Sequence, residues 1–311
     1  MLSLSAEMPA LRRLVVPFVF GALIAGGCAA IPPRLRPVML RVATAEMVCK
    51  LNDPAGNLAE ACRLSEEAGI KKARLVLFPE GCLTGTAIRD RTNQAVLPAT
   101  AEPFAPLQQV ADGYDLTISV GFATPFSNKV NMVHAIIRPK QPILFQHKAA
   151  KAADEPEFLE PWPEPRRVVF TVDDVKVVMM ICSEFGSERV IEEMNAAAPD
   201  LVLHSSAGHL LKNEVIRETP PSRKALAAAD KLMRGPPEGA AKDAARRGIP
   251  RLASNPIGFD GELYWPGNSY AVGADGRIYL WVKGTAVPSE MRPSVSVVDL
   301  PIPRDSRKVQ H

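Results

Sequence analysis

The sequence predicts an α/β protein in which strands and helices follow one another along most of the chain. Apolar residues recur with a period of two in some segments and of about 3.6 in others, the patterns of strands and of amphipathic helices. Several strand segments are continuous apolar runs, such as VKVVMMI before Cys182, which indicates buried strands. With 311 residues, 47% of them hydrophobic, the chain can bury one large core. Internal sheets covered by helices are the arrangement that this pattern favours.

The predicted elements can be placed in order from these patterns. The strands expected are 38–47, 74–78, 116–124, 133–137, 142–145, 167–172, 176–181, 201–204, 251–254, 269–272 and 278–282. The helices expected are 57–73, 103–111, 188–198 and 240–247. Asp173-Asp174 and Asp275-Gly276 predict hairpin turns, since such turns favour residues that tolerate a left-handed backbone.

Three polar side chains follow apolar runs at predicted strand ends, where rigid backbone can assemble a site from distant segments. Glu80 follows RLVLF, Lys148 follows PILF and two further residues, and Cys182 follows VKVVMMI. A thiolate is a strong nucleophile, and a nearby carboxylate can take the thiol proton and later return it to a leaving amine. Lys148 and the backbone N–H of Ser183 can stabilise an oxyanion. The combination predicts attack by Cys182 on an amide-like carbon, which requires neither a metal nor an organic cofactor.

These segments resemble the carbon–nitrogen hydrolase (nitrilase) superfamily, whose members use a Glu-Lys-Cys triad in this order. FPEGCLTG carries the glutamate, QHK the lysine and MICSE the cysteine, and the likeness covers most of residues 37–300. The resemblance implies a four-layer α-β-β-α sandwich and a homo-oligomer. It also implies amidase-type hydrolysis of a non-peptide carbon–nitrogen bond in a small-molecule amide, through a thioester acyl-enzyme.

The resemblance extends to residues around the triad. A second glutamate often supports the lysine in this superfamily, and Glu160 is the expected match, with Glu155 and Glu157 as alternatives. Ser183, Ser205 and Ser206 are the expected substrate-binding residues, because they follow the nucleophile or end the next strand.

Two departures from the family pattern leave the reaction open. Ala-Ala-Lys-Ala-Ala follows Lys148 where an Ile/Leu-rich stretch is common, and the tryptophan typical of true nitrilases is absent beside Cys182. Nitrile hydrolysis is therefore disfavoured. The alternatives to an amidase are an N-acyltransferase with the same triad and a catalytically silent, membrane-tethered binding protein.

An insert at residues 210–238 is longer than the connection usual in the family at this place. Two Pro-Pro pairs, at 220–221 and 236–237, bracket a short predicted helix, 223–233. The segment leaves a strand end beside the predicted chemistry, so a solvated surface insert and a lid over the site are both compatible with the sequence.

Charge and cysteine spacing exclude several classes of protein. The net charge of +3, from 37 basic and 34 acidic residues, is too balanced to indicate a nucleic-acid partner. The five cysteines form no C-x-x-C pair, which argues against a zinc site and a thioredoxin-like motif.

The N-terminus has the pattern of an export signal. Arg12 and Arg13 precede an uncharged stretch of 20 residues, 14–33, that ends in small residues. AGGC at 25–28 resembles a lipobox, with Cys28 as the lipid attachment site, and Ala30 offers an ordinary cleavage site. We expect residues 1–30 to be a signal peptide or membrane anchor and 31–311 to be the hydrolase domain, exported or membrane-attached. A cytoplasmic location is the alternative, because basic residues just downstream oppose translocation.

Overall fold

The computed structural model describes residues 37–85, 95–153, 155–260 and 263–304. The chain divides into Met1–Arg34 and Leu35–His311, and every described residue belongs to the second unit. The expected signal peptide or anchor, including Cys28, lies outside the described residues, so export or membrane attachment stays a prediction, as does the homo-oligomer. Within the described part of the chain, no helix is long and apolar enough to cross a bilayer.

Two mixed six-stranded sheets and a small ribbon contain the strands. The first sheet consists of β1 (Val38–Glu46), β2 (Leu75–Leu77), β3 (Thr117–Phe126), β4 (Lys129–Ile137), β5 (Leu144–His147) and β14 (Ser294–Ile302), in the spatial order β14-β1-β2-β3-β4-β5. The second consists of β6 (Val169–Val172), β7 (Val175–Ile181), β8 (Leu201–Ser205), β9 (Arg251–Ser254), β12 (Tyr270–Val272) and β13 (Ile278–Trp281), in the order β13-β12-β9-β8-β7-β6. The ribbon pairs β10 (Ile257–Phe259) with β11 (Tyr264–Pro266).

Each sheet has three neighbouring parallel strands, and these position the site. β1, β2 and β3 are parallel in the first sheet, and β7, β8 and β9 are parallel in the second. Parallel neighbours end at the same edge of a sheet, so the segments after β2 and after β7 each leave from such an edge.

Helices cover the outer face of each sheet. They are α1 (Pro54–Ile70), α2 (Ala105–Tyr114), α3 (Glu188–Ala197) and α4 (Arg223–Arg247). Leu64 of α1 and Leu107 of α2 pack with one face of β1 to β4, whereas Leu40 and Val42 on the other face of β1 pack against the second sheet. α3 and α4 pack on the outer face of that second sheet. The expected four-layer α-β-β-α sandwich is confirmed.

The sequence predictions for the elements are mostly confirmed, with ends shifted by a few residues. The two hairpin turns form as expected, and Asp173 and Asp174 both adopt positive φ, at 47° and 65°. Three strands were not predicted: the short β10 and β11, and β14. β14 contains Asp299 and Pro301, which disfavour a strand in sequence, but it is an edge strand paired with the whole of β1.

The prediction of two separate helices around Pro236 and Pro237 is wrong, because α4 continues through both prolines. A proline inside a helix costs about 3 kcal/mol through its missing N–H and its steric clash. Burial along the helix compensates for this cost, since Met233, Pro237 and Ala244 are all buried, and Ala244 packs on the second sheet. Most residues of the insert are exposed, but Leu210, Val215, Ile216 and Met233 pack together in one buried cluster.

A buried carboxylate connects the two sheets at the end of β1. Glu46 is 2% exposed, and its Oε1 accepts a 2.8 Å hydrogen bond from the N–H of Ser269, before β12. Gly267 has φ of 74°, and a Cβ there would lie 2.8 Å from Oε2 of Glu46. Burial raises the pKa of Glu46 to about 7, although the hydrogen bonds from Ser269 oppose the rise.

Glu46→Gln should therefore make the protein more stable at alkaline pH. Between about pH 4.5 and 7, folded Glu46 keeps a proton that the unfolded chain loses, so the free energy of unfolding falls by up to about 3 kcal/mol as pH rises. Glutamine can accept the same bond from Ser269 without titrating. In urea unfolding, the variant should exceed the wild type at pH 8 and differ little from it near pH 4.5. A variant that keeps the wild-type pH dependence would contradict this assignment.

Candidate active site

Glu80 lies in a tight turn that joins the ends of the two sheets. Its backbone N–H donates to the carbonyl of Ser206, beyond β8, at 3.2 Å. The turn passes so close to β3 that a Cβ on Gly121 would lie 2.5 Å from the nitrogen of Gly81. A glycine in β3 therefore permits this position of Glu80, whose side chain is almost fully buried.

Lys148 leaves the end of β5 and is held between two carboxylates. Its backbone N–H donates to the carbonyl of Met132 at 2.8 Å, which fixes the chain direction. Its Nζ donates to Oε1 of Glu80 at 2.8 Å and to the carboxylate of Glu155. Burial alone would lower the pKa of Lys148, but the carboxylates of Glu80 and Glu155 outweigh it and raise the pKa above the usual value. The lysine is thus a buried cation at neutral pH.

The second glutamate beside the lysine is Glu155, so the expectation of Glu160 is wrong. Glu160 pairs instead with Lys129 at 2.7 Å, and both side chains are about two-fifths exposed (40% and 41%). The backbone N–H of Glu160 bonds to the carbonyl of Val130, which places this residue along β4 rather than over the site. Burial, and then the charge of Glu80, raise the pKa of Glu155 above its usual value.

Cys182 is placed at a strained corner directly after β7. It is the first residue of the short helical turn Cys182–Gly186, and its φ is 46°, which is unfavourable for a residue with a Cβ. Burial and the negative charge of Glu80 raise the pKa of its thiol to about 12, although Lys148 and a hydrogen bond from the N–H of Ala207 lower it. In the free protein at neutral pH the sulfur is therefore a thiol, and it must lose its proton before or during attack.

A buried ion pair fixes the lysine segment to the nucleophile corner. The carboxylate of Glu184 accepts 2.7 Å hydrogen bonds from the backbone N–H groups of Ala149 and Ile181, which adjoin Lys148 and Cys182. It also accepts a 2.8 Å bond from Arg167, and neither side chain is exposed. Neither Glu184 nor Arg167 is among the site residues predicted from the sequence. The position of Glu184, two residues after the predicted nucleophile, is the feature of the sequence that could have indicated its role.

The three serines expected to bind substrate occupy different environments. Ser205 is fully buried and its hydroxyl donates to the carbonyl of Phe78 at 3.2 Å, so the expectation that it contacts substrate is wrong. The hydroxyl of Ser183 donates to the carbonyl of Ala150 at 3.0 Å. Only Ser206 is placed with its hydroxyl near another side chain of the site, 3.3 Å from Nε2 of His204.

His204, at the end of β8, was not predicted as a site residue but contacts the nucleophile. Its Nε2 lies 3.3 Å from the carbonyl oxygen of Cys182, and its ring packs edge-to-face on Phe185 at 4.5 Å. Burial, and then the charge of Arg251, lower the pKa of His204 to about 3, so its ring is neutral at neutral pH. Among the described residues, no group of three or more His, Cys, Asp and Glu side chains could hold a metal ion.

The comparisons with known proteins agree with the fold. A family model described as carbon-nitrogen hydrolase matches residues 41–303, most of the chain, and the chain therefore belongs to this family of enzymes. It has the fold of the nitrilase superfamily. No curated protein sequence matches the chain.

Solved structures show the same fold at low sequence identity. An amidase of the nitrilase superfamily from Nesterenkonia AN1, studied as a cysteine mutant, is 18% identical, with a TM-score of 0.66 over 86% of this chain and 93% of its own. A glutamine-dependent NAD+ synthetase from Acinetobacter baumannii is 16% identical, with a TM-score of 0.66 over 84% of this chain. The chain spans only 46% of the length of that synthetase.

Proposed function

We propose that the protein is an amidase-type hydrolase that cleaves a non-peptide carbon–nitrogen bond through a thioester on Cys182. The observation that carries this proposal is the buried Glu80–Lys148–Glu155 cluster whose charges act on the Cys182 thiol. A buried cation and a buried base near a strained cysteine are the groups that acyl transfer to sulfur requires.

The protonation states of Cys182 and Lys148 support separate roles for the base and the cation in forming the thioester. The thiol pKa of about 12 means that Glu80 must take the Cys182 proton as the sulfur attacks the amide carbon. The S–C bond forms, and the oxyanion that results is stabilised by the Lys148 ammonium and by the backbone N–H of Ser183. Glu80 then gives the proton to the leaving amine as the C–N bond breaks, and a thioester remains.

The second half of the reaction uses the same base. Glu80 takes a proton from water, which attacks the thioester carbon, and collapse of the second tetrahedral intermediate returns the proton to the Cys182 sulfur. Lys148 keeps its charge throughout, because two carboxylates raise its pKa. Glu155 positions the lysine rather than transferring protons.

A structural neighbour supports an amidase. The Nesterenkonia amidase is matched over nearly its whole length, and one of its mutants carries the acetamide moiety of fluoroacetamide on its active-site cysteine. A small primary amide is therefore the first substrate to test on this chain.

The protein should release ammonia and carboxylic acid in equal amounts from at least one primary amide of a panel, or ammonia, carbon dioxide and a free amine from at least one N-carbamoyl compound. An N-acyltransferase would instead convert an added amine into a new amide without forming the acid. Ammonia is measured enzymatically and the acid by chromatography. A panel that yields neither product with any compound would contradict the proposal.

A further inference from the structure

A cavity of about 210 Å³ lies between α4 and the ends of β8 and β9. Leu232, Met233 and Pro236 of α4 form one wall. His204 and Ser206, at the end of β8, and Ala253 of β9 lie among the residues of the opposite wall. The insert at 210–238 thus closes a space over the strand ends, in agreement with the lid alternative for this segment.

Cys182 does not line the cavity, but two neighbouring segments contact both the cavity and the nucleophile. His204, in its wall, has Nε2 3.3 Å from the carbonyl oxygen of Cys182. The segment Ser206–Ala207–Gly208 borders both, since its first and last residues line the cavity and the N–H of Ala207 donates to the Cys182 sulfur. A group bonded to that sulfur therefore lies beside residues that line the cavity.

The chemistry of the walls favours a neutral, apolar occupant. Among the described residues that line the cavity there is no Asp, Glu, Lys or Arg, so a charged group would have no counter-charge there. The α4 wall consists of the side chains of leucine, methionine and proline. A cavity of about 150 Å³ with an apolar lining binds benzene, so about 210 Å³ accepts a benzene-sized group with a few further atoms.

We infer that this cavity is the acyl subsite and selects amides with a neutral, apolar acyl group about the size of a benzene ring, an inference that rests on the proposed function. The acyl group stays on Cys182 through both halves of the reaction, and the cavity is bounded by residues that contact Cys182. The leaving amine receives its proton from Glu80, which belongs to the other sheet. The two parts of the substrate therefore extend in different directions.

The test compares primary amides, because all of them release ammonia and differ only in the acyl group. The wild-type kcat/KM for phenylacetamide should exceed that for acetamide by about 10-fold or more, from burial of the ring. Leu232→Trp, at a cavity wall residue that is 39% exposed, should lower kcat/KM for phenylacetamide by about 10-fold and that for acetamide by less than about 2-fold. Leu226→Trp, at an exposed residue of α4 that does not line the cavity, is the matched control and should change neither.

Two results would overturn the inference: no preference of the wild type for phenylacetamide over acetamide, or an equal loss on both amides in Leu232→Trp. Calorimetric binding of phenylacetamide to Cys182→Ala separates this outcome from failure of the proposed function. Binding that is weakened by adding Leu232→Trp, but not by adding Leu226→Trp, supports the subsite even if no amide is turned over. Equal binding in all three proteins overturns it.

Discussion

Cys182→Ala should abolish ammonia release from every amide that the wild-type protein hydrolyses, with a loss on the order of 10⁴-fold or more. Among Glu80, Lys148, Glu155 and Cys182, only Cys182 carries a thiol, and a thioester can form only on a thiol. Alanine keeps the Cβ and the backbone of the strained corner, so the fold should survive. Ammonia release and thermal unfolding of the same preparation give the two readings.

Cys62→Ala is the matched control for this substitution. Cys62 is a partly buried cysteine on α1, on the outer face of the first sheet, and takes no part in the cluster around Lys148. Its replacement should leave kcat/KM within about 2-fold of the wild type, as expected for a substitution away from the site. Activity retained in Cys182→Ala, or lost equally in both variants, would refute the role given to Cys182.

Glu155→Gln should lower kcat/KM by about 10- to 100-fold, because the Lys148 ammonium loses one of its two anionic partners and shifts from the position that meets the oxyanion. The pH profile separates positioning from a general loss of structure. In the wild type, Glu155 has a raised pKa and gains a proton as pH falls, so activity should fall on the acid side at a higher pH than an ordinary glutamate implies. The variant lacks this titration, and its acid limb should move to lower pH.

Glu160→Gln is the control, since it removes the same charge five residues further along the chain. Glu160 pairs with Lys129 in a partly exposed salt bridge, an interaction that contributes little in water. Its activity and pH profile should match those of the wild type to within about 2-fold. Equal effects in the two variants, measured as kcat/KM from pH 4 to 9, would show that Glu155 does not position Lys148.

The three residues Glu80, Lys148 and Cys182 could be predicted from the sequence because apolar runs mark where buried strands end. Buried apolar runs end just before Glu80, Lys148 and Cys182. The first two follow strands of the first sheet and Cys182 follows a strand of the second, so packing of the two sheets brings them together. The burial of Ser205 could also have been predicted. Side chains alternate between the two faces of a strand, so Ser205 lies on the same face of β8 as Leu201 and Leu203, which pack between the sheets.

The spacing of residues along the chain could not show which glutamate contacts Lys148. Glu155, Glu157 and Glu160 belong to a connection without regular structure, and the direction of each side chain depends on how that connection folds back. It folds back because the N–H of Trp162 bonds to the carbonyl of Lys148 at 2.7 Å. This long-range contact turns Glu160 away from the lysine and leaves Glu155 beside it.

The cavity and the course of α4 depend on tertiary packing and were not predictable either. Local propensity predicts a break at Pro236 and Pro237, and burial of a stripe along α4 overrides it. The same packing places Leu232 and Met233 opposite His204. The residues that close the cavity are thus distant in sequence from those that perform the chemistry.

Nucleophilic attack by Cys182 is tested most directly by the mass of the protein after rapid acid quenching of its reaction with an amide that it turns over, followed by peptide mapping. We expect a covalent adduct with the mass of the acyl group, located on Cys182 and absent from Cys182→Ala. Turnover with the adduct on another residue, or release of acid with no adduct at any time after mixing, would contradict nucleophilic attack by Cys182.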